Sequence, residues 1–434
     1  MKYNLQKLLA KNGDEMERKE FDIVVIGGGS AGLASAIEAD KAGLKVAVLE
    51  RDDRLGGILN QCIHNGFGLN YFKQELTGPE YAQRFVDKLS GTKVEVFLGT
   101  TVLEIVKSED NLQGDINYEI RTISRNGEIS FVAKSVVLAT GCRERPSGSI
   151  SLCGTRPAGV ISAGSAQRLI NIYGKMVGKK IVVVGSGDIG LIMARRLRFE
   201  GAEVLGVYEI MPYPSGLKRN IVQCLEDYNI PLHLSKTVCE VVGKDRVEGV
   251  YVAPVKEDFS LDESKKEFVP CDTVILSIGL VPENDIASKL GVKLNPMTNG
   301  AMVDEYLQTN LAGVFSCGNG LHVHDIVDNV SHEAERAGQN SAKFVLGQLN
   351  TQNPHTIESK NGVRYVNPTT FYEGSGIVNI NFRSNNVYRD KKIVVRSGGQ
   401  VVREIEKKII LPAEMETVIV AKNNLTGDIE VSIE

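Results

Sequence analysis

The sequence predicts an α/β protein in which two similar strand-loop-helix units follow one another and a small all-β domain ends the chain. Two glycine-rich loops, each placed between an apolar strand and a helical segment, predict the two units. After residue 354 the segments are short, β-type and separated by turns, which predicts the all-β domain.

The first glycine-rich loop follows an apolar strand that begins at Phe21. Its glycines form the pattern G-x-G-x-x-G: Gly27, Gly29 and Gly32. A side chain at either of the first two would block the turn or the approach of a pyrophosphate. The helix from Ser30 to Ala42 presents its free N–H groups to that phosphate. A second strand, Lys45 to Leu49, ends at Glu50, at the spacing of an acid that bonds a ribose hydroxyl. Together these features predict a Rossmann-type dinucleotide site.

The same order of elements returns from Lys180 onwards. An apolar strand, Lys180 to Val184, enters a second G-x-G-x-x-G: Gly185, Gly187 and Gly190. The following strand, Glu203 to Tyr208, runs into Glu209, and β-type segments come after each unit. Each unit then closes with an apolar strand that runs into a glycine, Gly141 in the first and Gly279 in the second. The repeat predicts two dinucleotide sites in one chain.

The composition excludes several other classes. The 434 residues suffice for two or three domains. Lysine and arginine number 50 and aspartate and glutamate 54, a formal net charge of -4, so we predict no nucleic-acid or anionic-membrane partner. No apolar run of about 18 residues is free of charge or dense glycine, and no secretory signal is evident. We therefore expect a cytoplasmic protein without an integral membrane segment.

Two further motifs carry a family likeness: VVLATG, Val136 to Gly141, and GVFSCGN, Gly313 to Asn319. With the two glycine loops they make residues 21–348 resemble the thioredoxin-reductase-like pyridine nucleotide-disulfide oxidoreductases. The resemblance implies two three-layer Rossmann-like domains, the first for FAD and discontinuous, the second for NAD(P)H. The implied division is an N-terminal extension, 1–20; an FAD-binding domain, 21–153 and 273–350; an NAD(P)H-binding domain, 154–272; and a C-terminal β domain, 355–434.

A third stretch narrows the likeness. The sequence GTRPAGVISAGSAQRLIN, Gly154 to Asn171, is followed by GSGDIGLIMARRL. Both are similar to the flavoprotein subunits of heteromeric dehydrogenases, such as those of the anaerobic glycerol-3-phosphate dehydrogenase, opine oxidase and hydrogen cyanide synthase type. This resemblance implies two partners, a small cysteine-rich protein and a second flavoprotein dehydrogenase subunit. A homo-oligomer is left open.

The resemblance also assigns cofactor-binding residues. Those implied for FAD are Gly27, Gly29, Ser30, Ala31, Gly32, Glu50, Arg51, Gly57, Thr140, Gly141, Gly318 and Asn319. Those implied on the nicotinamide side are Gly185, Gly187, Asp188, Ile189, Gly190, Glu209 and Gly279. Asn319 stands where the broad family usually has an aspartate bonded to the ribityl chain, and an amide bonds a hydroxyl without bringing a charge. The helix near Ser331 would point its positive end at the flavin.

The residue that ends the second unit bears on the choice between NADH and NADPH. The Glu209 carboxylate repels a 2'-phosphate, and the segment from Ile210 to Gly216 contains no base to pair with one. The sequence therefore favours NADH, with Lys218 and Arg219 as the opposing feature.

Seven cysteines are present and none stands in a close metal spacing, so neither a zinc nor an iron-sulfur site is predicted. The disulfide reductases that the chain resembles carry a redox-active cysteine pair in one of two places. The first place, Gly56 to Cys62, holds one cysteine, and the second, Ala163 to Ala166, holds none. Cys62 either acts singly as a thiolate assisted by His64 or is a buried, inert thiol.

His322, His324 and Asp325 form H-x-H-D in a loop expected near the flavin. Two histidines at i and i+2 are a metal-ligand pattern, but the sequence shows no matching third ligand, so no metal is predicted. The favoured interpretation is that they shape the flavin pocket or pass a proton to the reduced flavin.

These observations favour an FAD-dependent oxidoreductase that exchanges a hydride between NADH and FAD and passes electrons to or from a partner dehydrogenase subunit of the glycerol-3-phosphate dehydrogenase type. One alternative is a self-contained NADH oxidase or disulfide reductase that uses Cys62. Another is a non-catalytic scaffold that holds FAD.

Overall fold

The first part of the chain forms a mixed sheet around the first glycine loop. The computed structural model describes residues 17–108 and 117–434. The strands in this first part of the chain, not all of which join the mixed sheet, are β1 Glu17–Ile26, β2 Val46–Leu49, β3 Asn65–Phe67, β4 Leu76–Thr77, β5 Glu95–Phe97, β6 Thr101–Ser108, β7 Asn117–Ser124, β8 Gly127–Leu138 and β9 Cys142–Glu144. Its helices are α1 Ser30–Asp40 and α2 Gly78–Ser90. Strands β5, β2, β1 and β8 lie side by side in parallel, and β8 continues antiparallel into β7 and β6. Apolar residues of β1, β2 and β8 are fully buried, as expected of parallel strands that are covered on both faces.

The N-terminal end of β1 differs from the prediction. Residues 1–16 of the predicted extension, 1–20, lie outside the described residues. From Glu17 the chain already pairs with β8, where Glu17 lies opposite Ile129. The strand is longer than its apolar part because backbone hydrogen bonds to β8 continue where the side chains become polar.

The second unit repeats this plan. Its strands are β10 Cys153–Gly154, β11 Val160–Ser162, β12 Lys180–Val184, β13 Glu203–Tyr208, β14 Leu232–His233, β15 Lys236–Gly243, β16 Val247–Pro254, β17 Glu267–Val269 and β18 Thr273–Leu276. Its helices are α3 Ala163–Asn171, α4 Asp188–Phe199 and α5 Lys218–Cys224. Strands β11, β18, β12, β13 and β14 form a parallel sheet, and β10, β15, β16 and β17 form a second sheet against it.

The chain then returns to the first sheet. The returning elements are β19 Leu280–Pro282, α6 Asp285–Leu290, β20 Val314–Ser316 and α7 Val327–Val345. β20 pairs in parallel with β8, and β19 pairs antiparallel with β9, so the two connections between the units run side by side. The first unit is therefore discontinuous in sequence, and the predicted fold class of two Rossmann-like units with a β-rich tail is confirmed.

Helix α7 begins at Val327, four residues before the predicted start near Ser331. The buried Asp328 carboxylate in its first turn accepts hydrogen bonds from the backbone N–H groups of Gly68 and Asn70, at 3.0 and 2.7 Å. The tertiary contact with this loop stabilises a turn whose polar sequence does not predict a helix. No helix in the described part of the chain is long and apolar enough to cross a membrane.

The tail is an all-β domain with its own apolar core. Its strands are β21 Pro354–Ser359, β22 Val363–Asn367, β23 Thr370–Tyr372, β24 Ile377–Ser384, β25 Tyr388–Ser397, β26 Gln400–Ile410, β27 Glu416–Ala421 and β28 Ile429–Ile433. They form two sheets, one of five strands and one of three. The tail contacts the first unit through a buried ion pair, in which Lys422 Nζ lies 2.6 Å from Glu305 Oε1.

Candidate active site

The first glycine loop leaves space at one of the three glycines of its motif and none at the other two. Gly27 has a φ of +107°, and a Cβ built on it would lie 2.3 Å from the Ala139 carbonyl oxygen. A Cβ on Gly32 would lie 1.7 Å from the Gly27 carbonyl oxygen. At Gly29 the nearest atom is the Cα of Gly57, 4.0 Å away. Gly27 and Gly32 must therefore be glycine because neighbouring backbone leaves no room for a Cβ, whereas Gly29 keeps the loop open for a ligand.

The helices after the two loops expose uncapped N-termini. α1 begins at Ser30 and α4 at Asp188, and no side chain caps either helix at its N-cap glycine, Gly29 or Gly187. Free N–H groups and the positive end of the helix dipole therefore meet at the first loop, and at the second loop the same holds except that Gly190 N–H donates to Ser277 Oγ at 3.0 Å. Both are suited to bind a phosphate, so the loops fit the pyrophosphates of FAD and NAD(P)H.

The acid after the first unit lies against its own loop. The buried Glu50 carboxylate accepts hydrogen bonds from Gly28 N–H at 2.6 Å and from Asp52 N–H at 2.8 Å. The neighbouring Arg51 is exposed. Each Glu50 oxygen retains a second lone pair that can accept from a ribose hydroxyl. The position of Glu50 is therefore consistent with its predicted role in binding the ribose of FAD.

The second loop has the same construction. Gly185 has a φ of +87°, and a Cβ on it would lie 2.2 Å from the Ser277 carbonyl oxygen. A Cβ on Gly190 would lie 2.4 Å from the Ser277 Cβ, whereas one on Gly187 would lie 3.0 Å from the Ser277 Oγ. Ile189 is partly buried and packs against the core of the second unit.

The acid after the second unit repeats the arrangement of Glu50. The buried Glu209 carboxylate accepts hydrogen bonds from Ser186 N–H at 2.9 Å and from Met211 N–H at 3.0 Å. The Asp188 carboxylate instead accepts from Leu217 N–H at 2.8 Å, so its side chain holds the start of α5. The predicted contact of Asp188 with a cofactor stays a prediction.

The predicted residues of the return segment gather beside the first loop. A Cβ on Gly318, whose φ is +65°, would lie 2.8 Å from the Ala31 Cβ at the start of α1. The Asn319 amide oxygen accepts a hydrogen bond from His324 N–H at 3.0 Å, and its nitrogen lies 3.7 Å from Cys142 Sγ. The contact of Asn319 with a ribityl chain stays a prediction.

Thr140, Gly141 and Gly279 lie where the two units are connected. Thr140 Oγ1 donates to the Glu283 carbonyl oxygen at 2.7 Å. Gly141 and Gly279 both have a positive φ, +71° and +100°, which glycine adopts without strain. These residues therefore turn the chain between the units, next to the β20 end of the first sheet.

The two places predicted for a cysteine pair meet in the fold. Gln61 Nε2 donates to the Gly164 carbonyl oxygen at 2.9 Å and to Gln167 Oε1 at 3.0 Å. The thiol of Cys62 lies 3.7 Å from that same Gln167 oxygen. All seven cysteines are free thiols in the structure. At this meeting point, therefore, a single thiol replaces the pair that a disulfide reductase would carry.

The surroundings of Cys62 do not favour a thiolate. Burial raises the pKa of the Cys62 thiol to about 12. Burial, together with the positive charges of Arg195 and Arg219, lowers the pKa of His64 to about 4. His64 is therefore neutral at pH 7 and supplies no positive charge to the sulfur, which favours the inert-thiol alternative; the catalytic role of Cys62 and His64 stays a prediction.

The H-x-H-D loop is buried against α7 rather than open. His322 Nε2 lies 2.8 Å and His324 Nε2 3.1 Å from the two oxygens of Glu333, and the three side chains are between 2% and 5% exposed. Burial lowers the pKa of His322, which is thus neutral at pH 7. The sequence shows no third ligand for these histidines, and in the fold the Glu333 carboxylate faces both. Their predicted proton transfer to flavin stays a prediction.

The tail holds this loop in place. Arg383 of β24 donates to the Val323 carbonyl oxygen at 2.9 Å and pairs with the Asp325 carboxylate. The other Asp325 oxygen accepts from Met415 N–H at 2.7 Å. The predicted site residues Asp325, His322 and His324 are therefore positioned partly by a domain that the sequence motifs did not connect to them.

Comparison with known proteins identifies the family. Residues 21–340 match the model of the pyridine nucleotide-disulphide oxidoreductase family, which is most of the chain. The chain belongs to this family. Members use FAD and NAD(P)H, and the chain falls in the enzyme class of FAD-dependent NAD(P)H oxidoreductases. The predicted resemblance is confirmed.

Three relatives illustrate the range of the family. The hydrogen cyanide synthase subunit HcnB of Pseudomonas protegens is 25% identical over 330 residues, 69% of this chain and 64% of that protein, so the chain spans less than two thirds of its length. An opine oxidase subunit from Agrobacterium tumefaciens is 22% identical over 92% of this chain and 81% of its own length. The crystal structure of T. acidophilum thioredoxin reductase superposes with a TM-score of 0.62 at 23% identity, over 76% of this chain and 99% of that one, which supports the fold.

Sequence reasoning missed four residues that complete the site. They are Gln167, Glu333, Asn367 and Arg383. Gln167 lies within the stretch Gly154 to Asn171 but was given no role, and the other three lie outside the motifs. A buried polar position on the apolar face of a helix, as at Gln167 in α3 and Glu333 in α7, is the signal that could have indicated two of them.

Proposed function

We propose that the chain exchanges a hydride between NADH and FAD and passes electrons to or from a partner dehydrogenase subunit. Bound FAD would supply the redox chemistry, with its N5 as the acceptor of a hydride from C4 of the nicotinamide. NADH becomes NAD⁺, and the two electrons leave through the partner. In the opposite direction the partner supplies both electrons. The chain's own residues bind and orient the two nucleotides.

The construction of the first loop supports the assignment of FAD to the first unit. Open space at Gly29, the uncapped N-terminus of α1 and the adjacent Glu50 carboxylate would hold a pyrophosphate and an adenosine ribose. Gly318 packs on Ala31 and would bring the return segment to the same nucleotide.

The surroundings of Glu209 support NADH over NADPH. Its carboxylate is 4% exposed, so its charge is poorly screened and repels a 2'-phosphate. Arg219 is a base that could pair with a 2'-phosphate, but its guanidinium points towards the first unit. It lies 3.2 Å from the position that a Cβ on Gly66 would occupy. The remaining base, Lys218, is the first residue of α5.

The observation that carries the partner proposal is the meeting of Gln61 and Gln167. A disulfide reductase of this family would place its cysteine pair at one of these two segments, and here the only thiol is the weakly acidic Cys62. Electrons then need another way out. Two relatives are named as subunits of larger enzymes, and their names support a similar role for this chain. We propose a second flavoprotein dehydrogenase of the glycerol-3-phosphate dehydrogenase type and a small cysteine-rich protein as partners.

The test combines anaerobic titration with purification from the native cell. NADH is expected to bleach the flavin absorbance of the purified chain at one equivalent per FAD, which a non-catalytic scaffold would not show. A second flavoprotein is expected to co-purify, and glycerol 3-phosphate should bleach flavin in the complex and not in the isolated chain. A yellow protein that NADH bleaches but that never co-purifies with another flavoprotein contradicts the partner proposal and leaves the hydride exchange intact.

The alternative that uses Cys62 makes a distinct prediction. If the thiol is inert, Cys62→Ser will leave the NADH turnover with oxygen or small disulfides within about 2-fold of the unmodified chain, since a thiol with a pKa near 12 supplies almost no thiolate at pH 7. Cys153→Ser is the matched control, because Cys153 is exposed and remote from this contact. Iodoacetamide should also modify Cys153 long before Cys62. A loss of turnover specific to Cys62→Ser would favour the self-contained NADH oxidase or disulfide reductase.

The proposed role of Glu209 predicts a shift in nucleotide preference. Glu209→Gln keeps the side chain's shape and one hydrogen-bond acceptor while it removes the charge. We expect the ratio of kcat/KM for NADH to that for NADPH to fall by roughly 10-fold, equivalent to about 1.4 kcal/mol. Glu203→Gln, at the exposed start of the same strand, is the control and should leave the ratio unchanged. An unchanged ratio in Glu209→Gln would remove this carboxylate as the basis of the preference.

A further inference from the structure

The H-x-H-D loop and helix α7 bring a compact group of nitrogen and oxygen atoms together. His322 and His324 come from the loop after β20 and Glu333 from the second turn of α7, and their ligand-type atoms lie within 4.8 Å of one another. The rings of the two histidines are 4.4 Å apart between centroids and inclined by 71°. Both Nε2 atoms therefore face a single carboxylate from different directions.

The distances suit a shared cation. Two ligands on a tetrahedral zinc ion at about 2.0–2.1 Å each lie about 3.3 Å apart. The Nε2 atoms of His322 and His324 lie 2.8 and 3.1 Å from the nearest Glu333 oxygens. Both nitrogen–oxygen distances are thus close to the spacing in a zinc site, and all the ligand atoms lie within 4.8 Å of one another. Two imidazoles and a carboxylate are donors that divalent transition metals prefer, whereas magnesium and calcium prefer oxygen alone.

The charge of the group is not otherwise balanced at contact distance. Within the described part of the chain, no lysine or arginine forms an ion pair with Glu333, and its only salt-bridge partners are the two imidazoles. Gly318 N–H donates one neutral hydrogen bond to Oε1 at 2.8 Å. The Arg336 guanidinium on the same helix interacts with Glu333 through its charge without an ion pair, and a divalent ion between the three groups would compensate the buried carboxylate at contact distance.

The hydrogen bonds of the two rings are also incomplete. Among the described residues, the Nδ1 atoms of His322 and His324 are buried without a partner. These are not the ring atoms that face Glu333, so they mark places for water at the other nitrogen of each ring, and the case for an ion rests on the two Nε2 atoms. The amide nitrogen of Asn367 lies 3.5 Å from His322 Nε2, an atom that already contacts Glu333. If the ring donates to Glu333, it cannot also accept from Asn367, whereas a cation resolves this conflict when the amide is reversed so that its oxygen faces the ion.

We propose that His322, His324 and Glu333 bind one divalent transition-metal ion of the zinc type, with the Asn367 oxygen as a fourth ligand. The ligands come from the loop, from α7 and from β22 of the tail, so the ion joins three parts of the fold. Because four protein groups would fill its coordination, the ion would be structural. It fixes the loop that carries Asn319 and Asp325. In this arrangement the histidine Nε2 atoms do not transfer protons.

The experiment measures metal content and metal affinity of the full-length, FAD-containing chain, prepared without a histidine tag or metal resin. Mass spectrometry is expected to find about one zinc per chain. After chelation, zinc titrated into the protein should bind by calorimetry and raise Tm, whereas magnesium should do neither. Cobalt should give an absorption band outside the flavin bands that reports nitrogen ligation.

Three variants make the test specific. His324→Ala and Glu333→Gln should each weaken zinc binding by at least about 10- to 100-fold, the range for loss of even an outer partner of a metal site. His332→Ala, on the same helix but with an exposed ring, should bind as the unmodified chain does. Retention of FAD and the circular dichroism spectrum check the folding of each variant.

The proposal is overturned if the unmodified chain takes up no zinc or cobalt, or if His324→Ala and Glu333→Gln bind zinc as tightly as His332→Ala. Should both ligand variants fail to fold, the cobalt spectrum of the unmodified chain decides, because a histidine-ligated ion gives the band and a hydrogen-bonded group without metal gives none. None of these results depends on hydride exchange or on a partner protein.

Discussion

Gly32→Ala is expected to abolish the retention of FAD. The added Cβ would lie 1.7 Å from the Gly27 carbonyl oxygen, and both atoms belong to backbone that is held by the strand and the helix of the first loop. Neither can move without opening the junction between β1 and α1. Overpacking of this kind costs about 1–3 kcal/mol or more, and the opened junction would also displace the N–H groups of α1. FAD affinity should fall by at least about 100-fold, or about 2.7 kcal/mol, measured as flavin absorbance per chain.

The matched control is Gly148→Ala. Gly148 has no atom within 4 Å of an added Cβ and no positive φ, so this change tests the effect of a methyl group alone. It should leave flavin content and stability unchanged. A Gly32→Ala protein that keeps its full complement of FAD would show that the first loop does not bind the nucleotide in the way its geometry indicates.

Lys422→Met is expected to lower the free energy of unfolding by about 3–5 kcal/mol. The Lys422 ammonium lies 2.6 Å from Glu305 Oε1, and the two side chains are 7% and 6% exposed. Removal of one partner of a buried pair leaves the other charge without compensation, which is the costly case. Because Lys422 belongs to the tail and Glu305 to the first unit, the tail should also detach at lower denaturant concentration. Limited proteolysis and urea unfolding would measure both effects.

Two further variants separate charge from packing. Lys360→Met breaks an exposed pair with Glu358 of the same domain and should cost no more than about 1 kcal/mol. Lys422→Met combined with Glu305→Gln removes both charges and keeps an oxygen that accepts from Tyr372 N–H. The double variant should therefore be more stable than Lys422→Met alone. Equal losses in the single and double variants would contradict a charge-based explanation.

Local patterns were sufficient for the elements around the two loops. The predicted strands Lys180–Val184 and Glu203–Tyr208 are the observed β12 and β13, residue for residue. An apolar run that stops at a glycine with no room for a Cβ specifies both its burial and its end. In contrast, β26 was not predicted, since its residues are mostly polar and exposed. Its strand forms because backbone groups pair with β25 along its length.

The candidate site likewise has a part that local sequence predicts and a part that depends on tertiary packing. The sequence by itself determined the two nucleotide loops, their acids and the absence of a cysteine pair, because glycine geometry and residue identity are local properties. Only the tertiary structure decided that Cys62 is a weak acid beside Gln167 and that Glu333 joins His322 and His324. Burial and the approach of residues far apart in sequence depend on how helices and sheets pack. A pKa or a third metal ligand depends on that packing, and no spacing along the chain contains it.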